Sequence, residues 1–204
     1  MVYCITKYIF WPLFSLFTKR IEGLEYLSDK RAIYVVNHHS YLDGVLILFL
    51  LAWHRNIKIY SFATHVKFTG VVWDTLFEHF GGIRIGGGSV AKALAKYREG
   101  HPLAIFPEGQ RSFSHETGKV THTGAGVIAL KTRAPIIPIG IDTYHFWNRY
   151  DHFPRFNRTI TICIGKPLRF SAKLTEKNIK NTIAAIMTEV NHLAKRAHAL
   201  SAAR

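Results

Sequence analysis

Cysteine is nearly absent from this chain: Cys4 and Cys163 are the only two in 204 residues. They lie far apart and form no C-x-x-C pair, which argues against a disulfide framework or a paired-cysteine zinc site and suits a reducing compartment. Each reads as a small buried hydrophobe. Long hydrophobic runs are also missing. A membrane-spanning helix needs about 20 apolar residues, whereas the best stretch, 8–17, has roughly ten and carries Pro12, and that at 45–53 is shorter still. The N-terminus lacks a basic n-region and a small-residue cleavage site, so it makes a poor signal peptide. Prolines number only 7, glycine clusters only at 81–88, and no repeat or low-complexity linker divides the chain. Acids are scarce, 13 Asp and Glu against 27 Lys and Arg, for a net charge of +14 at pH 7. That balance predicts an anionic partner: a phosphate-bearing substrate, an anionic membrane or a nucleic acid.

What is present is apolar and aromatic. Hydrophobic residues make up 48% and aromatics 13%, which excludes a disordered chain. The length fits one ordinary domain. Residues 1–28 read as a short apolar helical arm, free of acids through residue 20 and flanked by Lys7, Lys19 and Arg20. Such a segment suits a membrane interface or, equally, a core-packing helix. Residues 29–204 read as the main domain. β-Branched and aromatic runs bounded by turn residues predict strands at 32–36, 57–62, 82–85, 103–106, 136–141 and 159–164. Helical patterns lie between them at 40–53, 69–79, 89–98 and 124–132. This alternation predicts an α/β fold: a single domain with a central mostly parallel or mixed sheet flanked by helices. Near the C-terminus, Ile179, Ile183, Ile186, Val190, Leu193 and Ala197 repeat at helical spacing behind Thr175, a plausible N-cap. The opposite face of that helix is basic.

The turn after the first strand reads Asn37-His38-His39-Ser40-Tyr41-Leu42-Asp43-Gly44. Ser40 and Asp43 match a capping box, with Ser40 as N-cap and Asp43 at N3. A carboxylate there can point back to the turn and hold one imidazole nitrogen while the other faces a cleft. An oriented, charge-supported imidazole is a general base. The plainer reading is a capped helix beside an incidental histidine. The end of a strand is nonetheless where α/β sheets place ligands. Spacing alone leaves His38 and His39 both open.

A second cluster follows the strand at 103–106: Phe106-Pro107-Glu108-Gly109-Gln110-Arg111-Ser112. Pro107 has no N–H to continue a ladder, and Gly109 permits a sharp turn or a close approach to a ligand. Arg111 suits bidentate phosphate binding, and Glu108 can orient it or accept a substrate hydroxyl. An exposed ion pair at a turn, worth little energy, is the plainer alternative.

Together the two segments resemble the glycerolipid acyltransferases, the 1-acylglycerol-3-phosphate acyltransferase family. That family carries N-H-x-x-x-x-D, then F-P-E-G-T-R-S, then a proline-bearing apolar strand. The last is matched by Ala134-Pro135-Ile136-Ile137-Pro138-Ile139. The resemblance covers roughly residues 30 to 142 and assigns the histidine role to His38. It implies an O-acyltransferase that moves a fatty acyl group from acyl-CoA or acyl-carrier protein to the hydroxyl of a lysophospholipid. His38 and Asp43 would be catalytic, with no covalent enzyme intermediate, no metal and no resident cofactor. Glu108, Gly109 and Arg111 would bind the phosphate-bearing acceptor, and the proline-bearing strand would line the site or its acyl end. The family's second motif, G-x-I-F-I-D-R, departs here to Gly81-Gly82-Ile83-Arg84-Ile85-Gly86-Gly87, so Gly87 stands at the arginine position and Arg84 three residues earlier. The free N–H groups of Gly86-Gly87-Gly88-Ser89, at a helix start, are a candidate replacement. On this reading the +14 charge serves an anionic membrane surface, with the chain peripheral or monotopic on its cytoplasmic face.

Other classes are less well supported. Gly86-x-Gly88-x-x-Ala91 fits a dinucleotide fingerprint, but its acidic partner would be Glu108, already part of the stronger motif. Basic residues are spread along the chain with no groove-reading motif, which disfavours nucleic acid. No H-E-x-x-H or H-x-H cluster points to a metal hydrolase.

Overall fold

The computed structural model describes residues 6–28, 31–63, 78–114 and 116–203. The helix expected over 69–79 falls mostly outside these residues, and Cys4 falls wholly outside them. The chain opens with a π-helical turn, Thr6–Phe10, continued by helix α1, Trp11–Ser15. Strand β1, Thr18–Glu22, follows, then a 3-10 turn at Leu24–Tyr26. Next come β2 (Ile33–Val36), α2 (Asp43–Arg55), β3 (Tyr60–Ala63), β4 (Gly82–Arg84), α3 (Ser89–Arg98) and β5 (Leu103–Ile105). The chain ends with α4 (Gly124–Thr132), β6 (Ile136–Asp142), β7 (Ile160–Ile164) and α5 (Glu176–Ala202).

Among the described residues, seven strands form one sheet in the order β1-β7-β6-β2-β5-β3-β4. The five from β6 to β4 run parallel, β7 runs antiparallel to β6, and β1 lies parallel to β7. The central strands β2, β6 and β7 are buried throughout, as a sheet covered on both faces requires. Alternation along β2 divides the core. Tyr34 and Val36 join Leu46, Ile47 and Leu50 of α2 on one face, whereas Ile33 and Val35 join Ile128 of α4 and Ile183, Ile186 and Val190 of α5 on the other. Helix α5 begins as its sequence predicts, with Thr175 Oγ1 accepting the Asn178 N–H at 3.2 Å. Cys163 is buried in β7, and burial pushes its thiol up to about 11, which makes it a hydrophobe in practice.

The N-terminal segment departs from expectation. It is helical only through Ser15, and its second half, Thr18–Glu22, is an edge strand paired with β7. Lys19, Arg20 and Glu22 hide any strand pattern, yet charge is what an exposed edge tolerates. The helical part has two faces. Trp11 is buried edge-on to His54, and Phe10 and Phe14 pack on Phe49 of α2 at 5.4 and 5.2 Å. Tyr8, Ile9, Leu13 and Leu16 face outward, exposed. No described helix is long and apolar enough to cross a membrane.

Candidate active site

Strands β2 and β5 are parallel neighbours, so the segments that leave their C-terminal ends emerge side by side. One carries Asn37 and His38; the other carries Phe106 to Ser112. Their hydrogen bonds interlock around the backbone of His38. The His38 N–H donates to Glu108 Oε1 at 3.0 Å, and the His38 carbonyl accepts the Ser112 N–H at 2.7 Å. The ring packs against Phe106, with 4.9 Å between centroids.

His38 Nδ1 lies 2.8 Å from Asp43 Oδ2. That same oxygen accepts the backbone N–H of His39 at 2.6 Å and of Ser40 at 2.7 Å, while Oδ1 accepts the Thr143 hydroxyl at 2.6 Å. The carboxylate is 0% exposed and fully supplied with donors. An ionised carboxylate can only accept, so Nδ1 must carry the proton, and Nε2 is the nitrogen left for a substrate. The capping box forms only by half. Helix α2 starts at Asp43 itself with Leu42 as its N-cap, and the Ser40 hydroxyl accepts from Leu42 N–H instead. The two-residue delay draws the carboxylate back over the turn, onto the His38 ring.

His39 is buried and stands outside the cleft that His38 lines. Burial holds its imidazole below the usual range, so it is a neutral core group beside Asn37. The geometry thus separates two histidines that spacing left equivalent.

The cleft has a volume of about 1310 Å³. Its apolar wall is built by Phe10, Val45, Leu48, Phe49, Ile59 and Phe62, and its polar part by His38, Arg111, His122 and Thr123. The Arg111 guanidinium carbon lies 3.3 Å from the centre of the Tyr41 ring, and Nη1 is buried with no hydrogen-bond partner among the described residues. Arg111 lines the cleft, and a guanidinium there can bind an anion. Arg149 holds this loop by donating to the Arg111 carbonyl at 2.9 Å and stacking on Phe113.

Glu108 is placed differently from its sequence expectation. It is 0% exposed, and its second oxygen accepts the Gly118 N–H at 2.7 Å, so both oxygens serve the backbone rather than a ligand or Arg111. Burial pushes its carboxyl up to about 7, against the pull of the two N–H donors. A Cβ at Gly118 would stand 2.6 Å from Glu108 Oε2, so a side chain there would displace that carboxylate. Gly109 lines the cleft in the left-handed region, at φ 68°, with Thr121 and His122 packed against its α-carbon.

The substituted second motif forms β4 and the turn into α3. Its Gly86 and Ser89 line the cleft; Arg84, Gly87 and Gly88 do not stand among the described lining residues. Arg84 is exposed at the end of the edge strand β4. Pro135 and Pro138 likewise stand outside the lining. Pro138 lies in β6 just before its pairing with β7 begins at Ile139, where a missing N–H breaks no ladder bond to that neighbour. Tyr41, Gly118, Thr143 and Arg149 were not singled out from sequence. Tyr41 falls inside N-H-x-x-x-x-D, but the others lie outside every motif and meet it only by folding.

The sequence profile of the Acyltransferase family matches residues 19–142, more than half of the chain and all of both motifs. The chain belongs to the Acyltransferase family. Two curated relatives, both called 1-acyl-sn-glycerol-3-phosphate acyltransferase, are similar to it. That of Borreliella burgdorferi is 26% identical over 83% of this chain and 69% of its own length. That of Cocos nucifera is 29% identical over 88% of this chain and 55% of its own length. Among solved structures, the 1-acyl-sn-glycerophosphate (LPA) acyltransferase PlsC from Thermotoga maritima superposes with a TM-score of 0.68. It covers 93% of this chain and 78% of that one at 24% identity, and confirms the fold. His38 and Asp43 both lie within the matched residues, hydrogen-bonded to each other in an α/β domain.

Proposed function

We propose that this acyltransferase moves a fatty acyl group from a thioester, acyl-CoA or acyl-carrier protein, to the free hydroxyl of a lysophospholipid, with 1-acylglycerol 3-phosphate as the leading acceptor and phosphatidic acid as its product. The observation that carries this reading is the His38–Asp43 pair, 2.8 Å apart, at a large cleft with an apolar wall and Arg111 in its polar part. His38 Nε2 takes the proton as the acceptor oxygen attacks the thioester carbonyl carbon. A C–O bond forms, the C–S bond then breaks, and the imidazolium returns the proton to the departing thiolate. Asp43 holds the productive tautomer and supports the imidazolium that forms. Arg111 binds the acceptor phosphate.

The acceptor is a membrane lipid, and the outer surface suits work at an anionic bilayer. The outward row of Tyr8, Ile9, Leu13 and Leu16 is joined through Phe17 to Phe156, 5.7 Å between ring centres, in a loop that also exposes Tyr150 and Phe153. Arg149, Arg155 and Arg158 flank those aromatics. Aromatic tips with basic neighbours favour the headgroup region of an anionic leaflet, here the cytoplasmic face. The deciding experiment is a donor-by-acceptor panel on the detergent-solubilised protein, with His38→Ala as the blank. Acyl transfer to lysophospholipids that disappears in the blank supports the reading; a wild type inactive on every pair overturns it.

A further inference from the structure

The carboxylate of Asp43 is held from two directions. All three donors to Oδ2 come from the adjoining turn, residues 38–40. Among the described residues Oδ1 has a single donor, the hydroxyl of Thr143, 100 positions along the chain. Thr143 is 1% exposed and stands outside the described lining of the cleft, so this bond is formed away from water and away from substrate.

The fold fixes Thr143 carefully. Backbone pairing of β2 with β6 ends at Val36 and Ile139. Beyond it, the Asn37 side chain continues the connection, with Oδ1 accepting the Ile141 N–H at 2.7 Å and Nδ2 donating to the Ile141 carbonyl at 2.9 Å. Next to Thr143, Asp142 accepts from Tyr144 N–H at 3.2 Å and lies 3.0 Å from His198 Nδ1. The Thr143 carbonyl accepts the N–H groups of Phe146 and Trp147, each at 3.0 Å. The end of β6 is therefore tied to β2, to α5 and to its own following turn.

We propose that Thr143 is a positioning residue for the His38–Asp43 pair: its hydroxyl sets the plane of the Asp43 carboxylate and so the direction in which Oδ2 meets His38 Nδ1. The proposal rests on the general-base role given to His38 above. Three bonds converging on one oxygen hold that atom but leave the tilt of the carboxylate plane less constrained than its position. The fourth bond, on the other oxygen, fixes that tilt. Without it Oδ1 is a buried acceptor with no partner, and the carboxylate turns to find one. A base that is mis-set by a few tenths of an ångström still binds substrate but transfers its proton poorly, so the loss falls on kcat rather than on KM.

The test uses the full chain with 1-oleoylglycerol 3-phosphate as acceptor and oleoyl-CoA or oleoyl-acyl carrier protein as donor. Thr143→Val removes the hydroxyl at nearly constant volume, and Thr143→Ser keeps it. The Nδ1 proton of His38 is followed by NMR in histidine-labelled protein, and melting is measured alongside. The valine variant is expected to lose about 10- to 100-fold in kcat, the worth of one buried hydrogen bond to a charged group, with acceptor KM within about twofold. Its Nδ1 proton resonance moves, and serine restores both kcat and the resonance. If valine does not fold, Thr143→Cys, similar in size and a weak donor, takes its place with the same expectation. A folded valine or cysteine variant with wild-type kcat and an unmoved Nδ1 resonance overturns the proposal. A wild type inactive on every donor and acceptor pair overturns the general-base reading instead, while the resonance still decides whether Thr143 sets the pair.

Discussion

Replacing Glu108 with glutamine tests whether this motif acid is a buried structural carboxyl. Burial raises the carboxyl from 4.5 to about 7. Folding therefore retains a proton that the unfolded chain releases. Below pH ~4.5 both states are protonated and the group contributes nothing to pH dependence. Between pH ~4.5 and ~7 the unfolded chain holds fewer protons, so stability falls as pH rises, and above ~7 the loss is complete. The full loss is of order 3 kcal/mol, of which roughly 2.5 kcal/mol falls between pH ~5 and ~8. Glutamine cannot titrate, so the variant lacks this slope whatever its absolute stability. It also keeps only one acceptor oxygen for two N–H donors, which loosens either His38 or Gly118. The assay is urea unfolding of both proteins at the two pH values. Taking the difference between their pH-dependent changes cancels the histidines and other groups that titrate in both. The expected outcome is about 1–3 kcal/mol more stability lost by the wild type than by the variant as pH rises. Equal losses, or a greater loss in the variant, would refute the argument from burial.

His38→Ala is expected to lower the rate of acyl transfer by about 10²–10⁴ with the fold intact by circular dichroism. Arg111→Ala should raise the KM for phosphate-bearing acceptors several-fold and leave the KM for donor nearly unchanged, since Arg111 lines the cleft and has no ion pair among the described residues. Gly118→Ala should displace the Glu108 carboxylate and reduce activity without touching the cleft, as measured by kcat alongside melting temperature. Phe153 is 79% exposed, so Phe153→Ser should leave the melting temperature unchanged yet weaken sedimentation with anionic liposomes. Undiminished liposome binding would remove that loop from the docking surface.

Some of this was legible in the residues. β-Branched runs bounded by turns located β2, β5, β6 and β7, because strands buried on both faces must be apolar throughout. Helix α5 could be read from a single stripe and its threonine cap. The two motifs could be read because their chemistry needs residue types close in sequence: an acid five positions after a histidine, and an arginine two positions past a glycine. Strand β1 could not be read, since a charged edge strand has no pattern of its own and exists only through its pairing with β7. Nor could the role of Glu108, whose carboxyl meets two backbone N–H groups that sequence does not place beside it.

The sequence by itself determined the alternation of strands and helices, the basic surface and the list of reactive side chains. These depend on local spacing and residue type. Tertiary structure decided which histidine meets Asp43, that Glu108 serves the backbone of His38, and that Thr143 closes the carboxylate's last position. Each of those outcomes depends on which strand lies beside which. The parallel pairing of β2 with both β5 and β6 brings three distant segments to one edge of the sheet, and only there do they become a site.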